Sequence, residues 1–256
     1  MKNKEDVPSG ISFFYAKGRY TMGYKIAGNK KEAIFIKRLN RFEAIVEVDG
    51  KEELVHVPNT GRLKELLIPE TKVYLLDSNN MKRKTRYSLM FVNKKGKLIC
   101  INSSLANRVL EEAIIKGDVY FGDGELKREV TYGNSKFDFY IKGEKHTFIE
   151  VKCVTYELDG IARFPDAPTD RGSRHVEELI NLKKLGYESK VIFIAFMDYA
   201  KYFTPYKEMD DKFYKTLLKA KENGVDIKCF RCYITLDEIG ILNEIPVKLD
   251  IDNHYQ

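Results

Sequence analysis

The chemistry-bearing residues of this 256-residue chain concentrate between positions 137 and 155, where Asp138, Glu150 and Lys152 stand on two apolar runs. The runs flank Lys142-Gly143-Glu144-Lys145, a pattern that predicts two antiparallel strands joined by a tight turn. Side chains alternate along a strand, so Ile149, Val151 and Cys153 share one face and Glu150 and Lys152 the other. By the same rule Phe137 and Phe139 are expected on one face and Asp138 on the opposite one. A turn centred on Glu144 sets Asp138 across from Glu150. Two neighbouring carboxylates repel, and each resists ionising. A divalent cation removes the conflict, and hard oxygen donors suit Mg²⁺ or Mn²⁺. An amine two residues from the acid then orients or activates water, or stabilises charge on a phosphate. The competing reading of an Asp…Glu-x-Lys pattern is a set of solvated surface charges; the apolar opposite face argues against it.

The elements that must position these groups fall into two halves. From 33 to 101 the chain reads mostly as short strands, at 33–38, 42–48, 53–57, 72–76, 87–93 and 98–101. Asp49-Gly50 and Lys95-Gly96 are turns. With one short helix at 62–67 this predicts a small OB-like barrel, a fold that commonly holds nucleic acid on a curved face. Beyond a polar link at 102–107, helical spacing at 107–115 is followed by a strand at 129–132 and the central hairpin. Thr169 or Asp170 can cap a helix running to about 185. The run 190–196 is apolar throughout, as in a strand buried on both faces. A helix at 210–223 and a strand at 226–235 complete an α/β pattern. The expected organisation is an extension over 1–30, a barrel domain over 31–103 and an α/β domain over 104–256.

Three further stretches carry candidate residues. His56-Val57-Pro58-Asn59-Thr60-Gly61-Arg62 reads either as an N-cap turn or as a phosphate site at a helix start, with His56 and Arg62 alongside. Lys82, Arg83, Lys84 and Arg86, beside Tyr87, form the densest basic run, either a solvated loop or a contact to a nucleic-acid backbone. Arg171, Arg174 and His175 fall in the first turn of a predicted helix, where cations oppose the helix dipole. A phosphate nearby compensates them, or else Asp166, Asp170, Glu177 or Glu178 does. Cys229 and Cys232 have zinc-like spacing but lie on opposite faces of a predicted strand, so they read as structural.

Composition narrows the classes. The 44 basic residues exceed the acidic ones by six, which permits binding to phosphate backbones. Four cysteines are too few for a disulfide scaffold, and a reducing cytoplasm is expected. No run of some 18 apolar residues predicts a membrane span, and residues 1–10 lack a signal-peptide pattern. There is no G-x-S-x-G, P-loop or H-E-x-x-H.

Asp138 with Glu150-x-Lys152 on a hairpin resembles the core of the PD-(D/E)xK nuclease superfamily. The whole stretch from about 35 to 247 resembles the sugar fermentation stimulation protein A (SfsA) family. The resemblance rests on R-x-N-R-F at 38–42, H-V-P-N-T-G-R at 56–62, A-N-R at 106–108, T-Y-G-N-S-K-F-D-F at 131–139, E-V-K-C-V-T at 150–155 and F-P-D-A-P-T-D-R-G at 164–172 with His175. Lys136 and Cys153 depart from the usual arginine and serine. The resemblance implies an OB-like domain followed by a PD-(D/E)xK-like α/β domain, DNA binding, and a regulatory link to sugar (maltose) metabolism. It also implies a helix acid at the metal site, for which Glu112 fits better than Glu111. The expected protein binds DNA and holds Mg²⁺ or Mn²⁺ on Asp138, Glu150 and the Val151 carbonyl. Lys152 serves the water and Arg171 with His175 the phosphate. The alternative is a DNA-binding regulator that keeps the fold without the chemistry.

Overall fold

The structure is a computed structural model that describes residues 22–80 and 83–249. Strand β1 (Tyr24–Lys25) precedes β2 (Lys30–Arg38), β3 (Glu43–Val48), β4 (Lys51–His56), β5 (Lys72–Asp77), β6 (Tyr87–Lys94) and β7 (Lys97–Cys100). Strands β2 to β6 pair in the order β4-β3-β2-β5-β6, and a bridge between His56 and Ser88 joins β4 to β6 and closes a five-stranded barrel. Register shifts at Phe35/Lys37 and Tyr74/Leu75 supply the bends that closure needs. Phe35, Val46, Val55, Val73, Leu75 and Leu89 are buried, as the period-2 alternation of apolar residues requires.

The helix expected at 62–67 is absent. Leu63 takes φ 51°, a left-handed conformation no helix can start from. What remains is one turn, in which Leu66 and Leu67 N–H both donate to the Leu63 carbonyl.

The second half begins with α1 (Leu105–Lys116) and continues through β8 (Glu125–Tyr132), β9 (Ser135–Lys142), β10 (Thr147–Val154), β11 (Tyr156–Leu158) and β12 (Ile161–Phe164). Then come α2 (Asp170–Lys184), β13 (Glu188–Ala195), β14 (Tyr202–Pro205), α3 (Asp211–Glu222), β15 (Asp226–Ile234) and β16 (Glu238–Ile245). The main sheet runs β1-β16-β15-β13-β10-β9-β8. Strand β13 is central and parallel to both β10 and β15, which explains its unbroken apolar run. Helix α1 packs on one face of the sheet, α2 and α3 on the other. Cys229 and Cys232 join opposite clusters, as their spacing on β15 dictates.

Strand β1, from the expected extension, forms an edge of this sheet, pairing Tyr24 with Ile239. A small sheet of β11, β12 and β14 was not legible, its strands being three or four residues long. One apolar cluster runs through both halves without a break, from Val55, Leu63 and Leu66 of the barrel half to Val154, Ala162 and Phe203. No helix among the described residues is long and apolar enough to cross a membrane.

Candidate active site between the barrel and the sheet

Strands β9 and β10 pair as Thr147↔Ile141, Phe148↔Tyr140 and Ile149↔Phe139. The next pair in that register is Glu150 with Asp138, the two acids expected to face each other. The backbone ladder stops there, and a side chain replaces it: Asp138 Oδ2 accepts from Val151 N–H at 2.7 Å. Asp138 Oδ1 accepts from the Asn107 amide of α1, also at 2.7 Å. A strand residue points its N–H and C=O to the same edge, so the Val151 carbonyl faces the gap that Asp138 occupies.

Phe137 and Phe139 do not share a face. Phe137 packs with Phe148 and His175 on the α2 side, while Phe139 enters the cluster on the α1 side. The break in alternation falls at Asp138, whose would-be partner on β8, Glu129, takes φ 54° and drops out of the ladder.

Glu150 is 4% exposed. Its Oε1 accepts from Lys152 Nζ at 2.5 Å and from His175 Nδ1 at 2.6 Å. Arg171 Nε in turn donates to His175 Nε2 at 3.4 Å, which fixes the tautomer with the proton on Nδ1. Glu150 Oε2 is buried with no hydrogen-bond partner. Burial pushes the Glu150 carboxyl up, but the Lys152 ammonium and His175 outweigh it and hold it below the usual range. Asp138 moves the other way: burial chiefly, then the charge of Glu150, raises it. The two acids are thus electrostatically coupled and biased in opposite directions, as two carboxylates sharing a site must be.

Other expected residues are placed differently. Glu112 does not join the acids. It pairs with Lys116 at 2.7 Å and sits about 140° round the helix from Asn107, at 100° per residue. Glu111 pairs with Arg128. The helix therefore contributes an amide, Asn107, where an acid was expected. His175 is 4% exposed with both ring nitrogens engaged, so it braces Glu150 and does not present itself to a ligand. Arg171 and Arg174 are exposed on the first turn of α2, which Thr169 caps through Gly172 N–H.

The 56–62 segment is not a helix N-terminus. Asn59 accepts from Gly61 N–H and donates to the Ile101 carbonyl, and Arg62 is exposed. His56 is half-buried on β4, its imidazole pushed down by burial and by Arg83. In the basic run, Lys84 pairs with Glu43 at 2.5 Å and Arg86 with Asp77 at 2.7 Å. Those contacts spend much of the run's charge. Arg83 is exposed, and Lys82 lies outside the described residues.

The sequence reading missed the feature that links the halves, a cleft of about 910 Å³. Asn107, Val151 and Lys152 form its floor above the two acids. Arg38, Arg41, Arg62 and Lys64 of the barrel half line it on one side, and Arg163 of β12 on the other. Arg38 organises the barrel side, donating to the backbone carbonyls of Asn40, Arg41, Asn59, Gly61 and Arg62. Across the cleft Asp166 accepts from Leu63 N–H at 3.3 Å. A Cβ on Gly61 would come within 2.2 Å of the Asp166 carboxylate, so only glycine permits that approach. The R-x-N-R-F pattern at 38–42 was the signal available for this wall.

Among the described residues no group of three or more His, Cys, Asp or Glu side chains is placed to hold a metal ion. The donor set still fits a hard cation. Glu150 Oε2 is an anionic oxygen without a partner, and Asp138 stands close enough for the two carboxyls to interact electrostatically. A cation on these two acids and the Val151 carbonyl would keep several waters, as Mg²⁺ commonly does.

Comparison with known proteins agrees with the architecture. Residues 36–101 match the family model described as the SfsA N-terminal OB domain, and residues 104–238 that of the sugar fermentation stimulation protein RE domain. A sugar fermentation stimulation protein homolog of Clostridium kluyveri is 45% identical over 225 residues, 86% of this chain and 98% of that protein. One from Clostridium tetani is 47% identical over 229 residues, 88% and 99% of the two chains. The solved structure of Pyrococcus furiosus SfsA in complex with Ca²⁺ superposes with a TM-score of 0.81 at 31% identity, covering 89% of this chain and 99% of that one. With both halves matched and in the same order, the chain belongs to the sugar fermentation stimulation protein (SfsA) family.

Proposed function

We propose that the chain binds DNA and carries a divalent-cation-dependent phosphodiesterase site of PD-(D/E)xK type at Asp138, Glu150 and Lys152. The observation that carries this reading is the unpartnered, buried Glu150 Oε2 beside a second carboxylate, under a cleft lined by arginine and lysine from both halves. The Pyrococcus furiosus relative was solved with Ca²⁺, a cation with the same preference for oxygen ligands. When bound, Mg²⁺ or Mn²⁺ supplies charge stabilisation at phosphate and lowers the pKa of water.

The protein's own groups do the rest. Lys152, its side chain 13% exposed at the cleft floor, donates through Nζ to Glu150 and is positioned to orient a water or meet a phosphate oxygen. His175 locks the Glu150 rotamer from behind, and Arg171 holds His175. Asn107 and Val151 N–H fix both oxygens of Asp138, so neither acid swings when a ligand arrives.

The test is incubation of purified protein with labelled DNA and Mn²⁺ beside an Asp138→Asn control. Cleavage by the wild type and none by the control is expected; equal cleavage by both refutes the assignment. A second reading, a DNA-binding regulator of sugar metabolism without hydrolysis, draws on one observation. Lys152 and His175 already compensate Glu150 Oε1 without any metal. Salt-dependent DNA binding with no Mn²⁺ heat in calorimetry would favour it.

A further inference from the structure

We infer that the cleft between the barrel and the sheet is a binding track for single-stranded nucleic acid, entered over the β2–β3 turn at residues 39–42. This deepens the proposed function, on which it rests for the chemistry at the floor, by naming the substrate class.

Three observations converge. The first is an excess of positive charge, in which Asp166 acts on Arg38 alone. Arg38, Arg41, Arg62, Lys64 and Arg163 line the cleft, and among the described residues none of the five forms an ion pair with a carboxylate. Lys84 and Arg86 on the outer face of the barrel are paired, so the two basic regions differ in kind. Asp166 is the single acid in the cleft lining, and burial raises its carboxyl. Arg163 Nε is buried without a hydrogen-bond partner.

The second is a set of surfaces for stacking. Arg163 lies over the Tyr206 ring at 5.4 Å and Tyr206 stacks on Tyr156 at 5.1 Å, a stack already packed against itself of which Tyr156 and Arg163 line the cleft. Leu39, in the cleft lining, and Phe42, just beyond the lining residues Asn40 and Arg41, are each 51% exposed on the β2–β3 turn. This turn is not loose. Leu39 and Asn40 N–H donate to the Glu43 carbonyl, the Asn40 side chain accepts from Phe42 N–H, and Arg38 holds the carbonyls of 40 and 41. An apolar side chain presented on a rigid turn beside a free arginine suits a base and its phosphate. Alternating cations and aromatic faces are the recognition surface of single strands, because every base has a π-face.

The third is size. A cube of about 910 Å³ has an edge of about 10 Å. The contact of Asp166 with Gly61 and Leu63 ties the two walls together, so the cleft does not widen without breaking it. A cleft of that cross-section suits one strand lying along it, whereas a double helix would rest across its mouth.

Fluorescence anisotropy in EDTA tests binding apart from hydrolysis, with labelled single-stranded DNA, single-stranded RNA and blunt duplex DNA of equal length. Single strands are expected to bind at least tenfold more tightly than the duplex, and the two single-strand arms show whether the sugar matters. Phe42→Ala is expected to weaken single-strand binding on the order of tenfold through lost stacking. Arg41→Ala is expected to reduce the slope of log affinity against log salt by about 0.7. Both side chains are exposed and leave the turn's backbone bonds in place, so neither change threatens folding. Equal or tighter duplex binding, or full single-strand affinity in both variants, overturns the inference. Cleavage with duplex preference would sink this inference and spare the proposed chemistry; single-strand binding without Mn²⁺-dependent cleavage would do the reverse.

Discussion

Removing the charge of Glu150 and removing that of Asp138 should move stability in opposite directions, although both acids belong to one proposed site. Glu150→Gln keeps the size and the hydrogen bond from His175 Nδ1 but strands the Lys152 ammonium, which is 13% exposed and has Glu150 as its acid partner at 2.5 Å. Breaking a buried pair costs roughly 3–5 kcal/mol, and the residual exposure of Lys152 places this case near the lower value. For a chain of this length about 3 kcal/mol lowers Tm by roughly 6–12 °C. Asp138→Asn loses no hydrogen bond: its oxygen still accepts from Val151 N–H, and Asn107 turns over to accept from the new amide. It also removes repulsion from Glu150, so the metal-free variant should melt at or above the wild-type temperature.

The pH dependence follows from the same shifts. Asp138 is raised in the folded protein, so its ionisation lowers stability as pH rises. The advantage of Asp138→Asn is therefore largest at neutral pH and fades once the wild-type carboxyl is protonated. Glu150 is depressed, so its contribution is present above its ordinary pKa and is lost as pH falls through the folded value. The deficit of Glu150→Gln shrinks in acid. Calorimetric melting of the three proteins in EDTA from pH 4 to 8 measures both. A Glu150→Gln variant melting within about 2 °C of wild type, or an Asp138→Asn variant falling as far as Glu150→Gln, would refute the coupling described here.

Mn²⁺ at a hundred times its Kd should stabilise the wild type by about 2.7 kcal/mol, seen as a rise in Tm of roughly 5–11 °C that EDTA reverses and Asp138→Asn abolishes. Arg38→Ala should cost about 2–4 kcal/mol in denaturant unfolding, since five backbone carbonyls lose one guanidinium, and Arg38→Lys should not restore it because an ammonium lacks the planar fork. Glu65, whose Oε1 is buried without a partner, is pushed up to about 7 by burial. The folded state holds that proton longer, so wild-type stability should decline between about pH 4.5 and 7, and Glu65→Gln should flatten the decline.

What the sequence made legible follows the reach of its periodicities. Alternation over 137–154 was enough to set Asp138 across from Glu150, because strand register over a tight turn is a local matter. The barrel strands were readable for the same reason. Asn107, Arg38 and Asp166 were not, since each acts on residues that are 21 to 103 positions away or lie on another element. The family resemblance pointed to Glu112 as the acid on α1 but could not say which face of the helix meets the sheet. The first-turn cations at 171 and 175 read as phosphate ligands because their buried partner, Glu150, sits on a different strand. Leu63 defeated the predicted helix through a single backbone angle that its residue type does not advertise.

The apolar cluster shared by Val55, Leu63 and Leu66 with Val154, Ala162 and Phe203 bears on how such a chain can be cut or inherited. A piece holding only the barrel, or only the sheet and its helices, would carry a raw greasy seam where its other half belongs. Such fragments should clump in place of acting as free modules. A gene that lost either portion would leave a sticky remnant rather than a simpler working protein.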